Sequence, residues 1–308
     1  MDADSYILSG NIFSGTVVSS RSLCSVLSGV KSDTAEGPQR LDWTTSATAP
    51  QIFKRMKDVA LLFLVSTSTS GEPAIEKIDL CDMELSINFH DKPLFWLGQV
   101  NDDQSVDRLK EVYAAASTAT MKKILIEAVG IHQRSVDAYP FLTSLLNSSE
   151  PDDIRAKATF WIGEQNNPEE LKLLMEVAQK DHSLKVREEA VFAISRLCTD
   201  ESTDALIALA RKADDTRVRA KATFWLGQQA SKKTVATLEE IVADDEETDV
   251  QRQALFGLSR SKDRHSIEWL IRIATTHPNP RIRKQAIQLL GHSDDPEALD
   301  ALIAIVRK

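Results

Sequence analysis

A chain of 308 residues with 42% apolar and 27% charged residues has the composition of a globular protein, enough for one elongated domain or two compact ones. Its net charge of −9 is spread over both halves, so a nucleic-acid partner would need a local basic stripe to overcome the overall field: residues 1–150 carry 13 Lys and Arg against 19 Asp and Glu, and the rest 24 against 27. No apolar run approaches the ~20 residues of a membrane helix. MDADSYILSGNIFSG lacks a basic segment followed by an apolar core, so no signal peptide is visible, which fits a cytoplasmic protein or an exported one without its leader. Cys24, Cys81 and Cys198 show neither CxxC nor metal-ligand spacing and read as reduced thiols, with a Cys24–Cys81 bridge open only in an oxidising compartment.

In chain order, LSGNIFSGTVVSS at 8–20 reads as a strand pair. SGVKSDTAEGPQRLDWTTSATAP is rich in Ser, Thr, Gly and Pro and reads as a long loop. ALLFLVSTS at 60–68 and AIEKIDLCDMELSINF at 74–89 are strand-like, joined by the turn-forming TSGEP, although Ile75, Ile78 and Leu80 alternate only in part. Residues 1–90 are therefore expected to be a small β-rich region that caps the rest of the chain.

From residue 91 the chain repeats. Ala158, Ala190, Ala222, Ala254 and Ala286 recur every 32 residues. Four positions earlier stand Ile154, Val186, Val218, Val250 and Ile282; four positions later stand Ile162, Ile194, Leu226, Leu258 and Leu290. Spacing of i, i+4, i+8 is one face of a helix. A small residue comes next in each copy, Gly163, Ser195, Gly227, Ser259 and Gly291, which suits a helix end. A second helix keeps the same period through Leu174, Leu206, Leu238, Leu270 and Leu302, with Val177, Leu209, Ile241, Ile273 and Ile305 three residues on. NNPEE, TDEST, SKKT and DDPEA supply breakers and caps between helices. Weaker copies lie upstream, where PLFWLGQV at 93–100 echoes ATFWLGQQ and ILIEAVG at 124–130 fills the next slot. The near-identity of KATFWIGEQ at 157–165 and KATFWLGQQ at 221–229 makes alternate units similar, with Trp161 and Trp225 filling a slot that Ala193 and Gly257 leave small.

The cores KVREEA at 185–190, RVRAKA at 217–222 and RIRKQA at 281–286, with DDPEALDALIAIVRK at the C-terminus, resemble HEAT repeats of the short bacterial type also called PBS-lyase HEAT-like repeats. The layout is similar to that of uncharacterised bacterial HEAT-repeat proteins with a small leading region. The resemblance implies a mainly α fold: a right-handed α-solenoid of about seven helix pairs over residues 91–308, behind the β-containing region 1–90. It implies no single activity.

Motifs of catalysis are missing. The sequence holds no GxSxG, GxGxxG, P-loop or HExxH. Deoxyhypusine hydroxylases resemble this scaffold but hold di-iron with His-Glu pairs, and none of the six histidines here is followed by Glu. Each histidine reads as a loop or surface residue. Bilin lyases share the short repeats, which identify no chromophore site by themselves, and the HEAT-like DNA glycosylases need a basic groove that the acidic balance argues against. The carboxylate pairs sit in turns, where Asp caps the next helix, and only DDEETD at 244–249 is acidic enough to weigh as a calcium loop. No catalytic residue, metal ligand or cofactor is assigned.

Two rows remain. Arg155, Arg187, Arg219 and Arg283 share one slot, broken by Gln251, and resemble the HEAT arginine that bridges to an acidic group of the next repeat. Advancing about 100° per residue from the core aliphatic places Phe160, Phe192, Phe224 and Phe256 near 240°, roughly opposite the core. Beside them, at about 280°, stand Glu164, Arg196, Gln228, Arg260 and His292. The Phe row either packs against an adjoining repeat or forms an aromatic stripe on the concave face. The resulting expectation is a non-enzymatic scaffold binding a protein or peptide there, through Phe160, Phe192, Phe224, Phe256, Arg196, Gln228 and Arg260. The alternative is a bilin-lyase-like enzyme or chaperone acting on a chromophore-bearing protein.

Overall fold

The computed structural model of the protein describes residues 101–307, apart from positions 134, 166, 168, 230–231, 261–264 and 294, together with six strands before them. It divides into two compact units, residues 1–170 and 171–308.

In the first unit, β1 (Ser5–Ser9), β4 (Val59–Thr67), β5 (Pro73–Asp82) and β6 (Leu94–Trp96) form a sheet in the order β5-β4-β1-β6. The short strands β2 (Gly15–Thr16) and β3 (Met56–Lys57) pair with each other. Among the described residues of the stretch 8–20, β1 pairs with β4 and β6, and β2 with β3. The long polar loop and the end of the 74–89 stretch lie outside the described residues. Between β4 and β5 the register shifts at Leu64/Val65, with Leu64 opposite Lys77 and Val65 opposite Ile75, so Glu76 is an extra residue. That bulge interrupts the period of two, which is why Ile75 and Ile78 do not alternate cleanly. Leu61, Leu62, Phe63 and Val65 are all buried, as in a strand covered on both faces.

The segment PLFWLGQV is corrected by the structure. Its Leu94–Trp96 core is β6, lying parallel to β1, with Tyr6 opposite Leu94 and Leu8 opposite Trp96. An apolar run this short carries no period of its own, and the neighbouring strand decides its conformation.

Four helices complete this unit: α1 (Asp102–Ala115), α2 (Ala119–Gly130), α3 (Ala138–Leu146) and α4 (Asp152–Ile162). Asn101 caps α1 by accepting from the Gln104 amide, and Thr118 caps α2 by accepting from Met121. Helix α2 packs on β5 on one side and on α4 on the other.

Beyond them lie α5 (Glu170–Lys180), α6 (Leu184–Leu197), α7 (Asp200–Lys212), α8 (Thr216–Leu226), α9 (Lys232–Asp244), α10 (Thr248–Ser259), α11 (His265–Thr276), α12 (Pro280–Leu290) and α13 (Pro296–Val306). The tightest neighbours are α7 with α8, α9 with α10, and α11 with α12. Each hairpin thus runs from a leucine-bearing A helix, through a short turn, into the B helix with the alanine core. B helices then stack on B helices, in the series α6, α8, α10, α12. All five periodic alanines are fully buried. Leu174, Leu206, Leu238 and Leu270 are buried as well, each stabilising the stack by about 1.5–3 kcal/mol. In α13 the same slots, Leu302 and Ile305, are half-buried, and Leu299, Ile303 and Val306 are exposed.

Candidate interaction face on the B helices

The arginine row comes first because it fixes the turns that present the face. Arg187 Nη1 donates to the Asp181 carbonyl, Arg219 Nη1 to that of Ala213, and Arg283 Nη1 to that of His277, at 2.7–2.9 Å. Each guanidinium thus ties its B helix to the end of the preceding A helix, six residues back. Two of them also reach the next hairpin: Arg187 Nη2 lies 2.7 Å from Asp215 Oδ2, and Arg219 Nε 3.3 Å from Asp245 Oδ2. Burial pushes the Asp215 carboxyl up, but the amides of Arg217 and Val218 and the Arg187 guanidinium outweigh it and hold it below the ordinary range. Arg155 occupies the slot in the first unit and is buried there.

At the break in the row, Gln251 Nε2 donates to the Val242 carbonyl at 3.1 Å, and His277 Nε2 lies 3.0 Å from the same oxygen. The Asn279 amide donates to His277 Nδ1, so the ring is neutral and its Nε2–H is the donor to Val242. A neutral Gln–His pair replaces the Arg–Asp pair. Arg219→Met strands the largely buried Asp245 carboxylate and is expected to cost about 2–4 kcal/mol, against about 1 kcal/mol for Gln251→Met, read by urea denaturation.

Histidines read from sequence as surface groups divide. His277 is buried beside Gln251, and His132 is buried completely in the first unit. His132 Nε2 lies 3.1 Å from Ser105 Oγ and its Nδ1 3.4 Å from Asp102 Oδ1. Burial draws the imidazole pKa down to about 3, against the opposing charge of Asp103. With Ser105 and His132 both shut off from solvent, the arrangement is a structural polar link between α1 and the end of α2.

Close packing at the B-helix ends selects small residues. A Cβ built on Gly130 would lie 2.1 Å from Trp161 Cδ2, so the small residue opposite Trp161 is the one ending α2. Gly257 meets Gly227 in the same way, a Cβ on Gly227 lying 2.6 Å from the Gly257 Cα. The indole of Trp161 thus packs on the glycine ending the preceding B helix, and at Gly227 and Gly257 two B-helix backbones approach closely. Gly227 has φ −65°, so close approach, and no unusual backbone conformation, selects glycine there.

Against this scaffold the phenylalanine row takes an intermediate position. Phe160, in the first unit, is half-buried with its ring edge-on to Trp161 at 5.2 Å. In the second unit Phe192 lies against Trp225 of the next B helix, centroids 4.9 Å apart, and Phe224 meets the same indole edge-on at 5.0 Å. Both are half-buried, while Phe256 is 37% exposed. Arg196 stands over Phe192 at 5.8 Å and Arg260 over Phe256 at 5.9 Å, with the half-buried Gln228 in the same slot between them. An open groove of about 580 Å³ is lined by Phe224 and Phe256, and a second, of about 640 Å³, adjoins it through Asp249, Arg252 and Gln285.

Residues that the angular reading passed over line these grooves: Arg217, Lys221, Arg252, Arg281 and Lys284. They stand three to seven positions before the Phe slot, on the same helical stripe, and extending the 32-residue register to those slots would have found them. Among the described residues, no three His, Cys, Asp or Glu side chains cluster as a metal site. Asp245 of the DDEETD loop accepts from the Glu247 amide and from Arg219. No described helix is long and apolar enough to cross a membrane.

Stacked helical hairpins with an open face on their second helices define an α-helical repeat protein. Residues 139–227 and 235–308, more than half of the chain, match the family model described as HEAT repeats, and the chain belongs to that family. No curated protein matches the sequence. Among solved structures, it is similar to human deoxyhypusine hydroxylase in complex with glycerol, at 18% identity over 65% of this chain and 77% of that one, with a TM-score of 0.30. It is also similar to the complex of CpcE and CpcF of phycocyanin lyase from Nostoc sp. PCC7120, at 17% identity over 60% of this chain and 98% of that one, with a TM-score of 0.28.

Proposed function

We propose that the protein is a non-enzymatic scaffold that binds a protein or peptide along the B-helix face of its second unit. The observation that carries this reading is the incomplete burial of Phe192, Phe224 and Phe256, the last two of which line an open groove. Each ring is held on one side by the helix stack or a neighbouring arginine and leaves part of its surface to solvent. Aromatic groups fixed in this way are suited to anchor a partner at low entropic cost.

The rings are separable by stability. Phe192→Ser removes the contact with Trp225 and is expected to cost about 2–3 kcal/mol, whereas Phe256→Ser should cost under about 1 kcal/mol in urea denaturation. The function is tested by placing a photo-crosslinking phenylalanine at position 256, with a control at the exposed A-helix residue Lys212, and irradiating in the native lysate. A defined protein adduct from position 256 alone supports the scaffold. Equal labelling from both positions, or none, removes it. A visible absorbance band on the purified protein would favour the lyase-like alternative instead.

A further inference from the structure

Charge is segregated within the second unit. The B helices α6, α8, α10 and α12 carry ten Lys and Arg against three Asp and Glu. The A helices α7, α9, α11 and α13 carry five against nine. A protein of net charge −9 thus carries a locally basic set of helices in its second unit, and they are the helices that bear Phe192, Phe224 and Phe256.

The basic residues on it are of two kinds. Arg187, Arg219 and Arg283 spend their guanidiniums on turn carbonyls and neighbouring carboxylates. Arg217, Lys221, Arg281 and Lys284 line the grooves and, among the described residues, their side chains have neither a hydrogen bond nor an ion pair. Arg252 is shared with Gln285 at 2.9 Å and Asp249 at 3.5 Å. Five cations therefore face two carboxylates, Glu188 and Asp249, along the joined grooves. By contrast, the groove at the turns between A and B helices has five carboxylates against three cations.

Resting on the scaffold reading, we infer that this face recognises an acidic segment of its partner, bound extended across the B helices. Neighbouring packed helices lie ~8–10 Å apart. A chain in the polyproline-II form has three residues per turn and rises about 3.1 Å per residue, so side chains three residues apart lie on one side, about 9 Å apart, and meet successive helices. Carboxylates at that spacing would reach Arg252 and Lys284, which share one slot of the repeat, and a third would fall near Arg217 and Lys221 of α8, while intervening apolar side chains meet Phe224 and Phe256. A peptide is favoured over a nucleic acid because Glu188 and Asp249 stand among the cations, where they would repel a continuous phosphate backbone, and because the Phe row asks for apolar side chains.

The probe is a fluorescein-labelled peptide of about 12 residues with Glu at every third position and Leu and Ser between, matched to the three-residue turn of polyproline II. Its controls are the same peptide with Gln or with Lys in place of Glu, and a single-stranded oligonucleotide of similar length. Fluorescence anisotropy should show the Glu peptide binding and the Lys peptide not, with affinity falling as salt is raised. The pair Arg252→Glu and Lys284→Glu should weaken the Glu peptide by about tenfold or more and gain binding of the Lys peptide, which a misfolded variant could not do. Equal binding of the Gln and Glu peptides, or preference for the oligonucleotide, overturns the inference. The crosslink at position 256 separates the two levels: an adduct mapping to an acidic partner segment supports both, an adduct on a neutral or basic segment overturns the acidic reading alone, and no specific adduct overturns both.

Discussion

Lowering the pH from 7 to 5 is expected to remove about 2 kcal/mol of folding stability from the intact chain, and much less from a His132→Gln variant. In the unfolded chain His132 titrates near 6.5, whereas in the fold its pKa is drawn down to about 3. The unfolded state therefore binds the extra proton between those values, and stability falls as the pH drops through that window. Above 6.5 the contribution is fully present. At pH 5 the solution is about 1.5 units below the unfolded pKa of 6.5, each unit worth about 1.4 kcal/mol. The physical cause is the complete burial of the ring between α1 and the end of α2, with Ser105 on one nitrogen and Asp102 near the other. Urea denaturation at the two pH values, for both proteins, measures the difference. An equal loss in the variant would place the acid sensitivity elsewhere.

Three glycines at equivalent helix ends should respond in three ways to alanine. At Gly130 a Cβ runs into the Trp161 ring, and at Gly227 into the backbone of Gly257. At Gly291 it meets only the Gln288 and Ile287 carbonyls, at 3.4 and 3.6 Å. Alanine at a right-handed helical position normally gains about 0.5–1 kcal/mol over glycine by restricting the unfolded chain. Gly291→Ala should therefore be neutral or stabilising. Gly130→Ala and Gly227→Ala should each cost about 1–3 kcal/mol by overpacking. Only the first has a remedy in a side chain: Trp161→Leu removes the colliding ring, so the Gly130→Ala/Trp161→Leu double variant should be more stable than additivity allows. Thermal denaturation of the set checks the order. A destabilised Gly291→Ala, or additive behaviour at Gly130 and Trp161, would contradict these contacts.

The helices were legible because each one repeats its apolar face at a fixed interval, and a single period aligns five copies of Ala158 and Leu174. What was not legible depended on neighbours outside the period. PLFWLGQV shares its letters with ATFWLGQQ, yet β1 lies beside it and takes Leu94–Trp96 into the sheet. The buried histidines were missed because a lone His in a loop gives no sign of the Ser105 hydroxyl or the Val242 carbonyl that receives it. For the face, angular arithmetic located the Phe row but not how far each ring would be covered. That is set by the tryptophan of the following helix, which Phe192 has and Phe256 lacks among the described ring contacts. The groove cations lay in the same register and were overlooked only because charge was summed over halves of the chain, where the acidic A helices cancel it.

The two reaches of Arg187 and Arg219 bear on the order in which the molecule assembles. Their bonds to Asp181 and Ala213 close over six residues, within one hairpin, whereas those to Asp215 and Asp245 await a hairpin not yet placed. Short loops cost little entropy to close, and contacts of low sequence separation form fast. Each hairpin can thus set its own turn before docking, and the second bond then clicks each new repeat into register. At the Gln251–His277 joint both donors converge on the same Val242 oxygen, so there the lock closes without charge and should keep its strength as ionic strength rises.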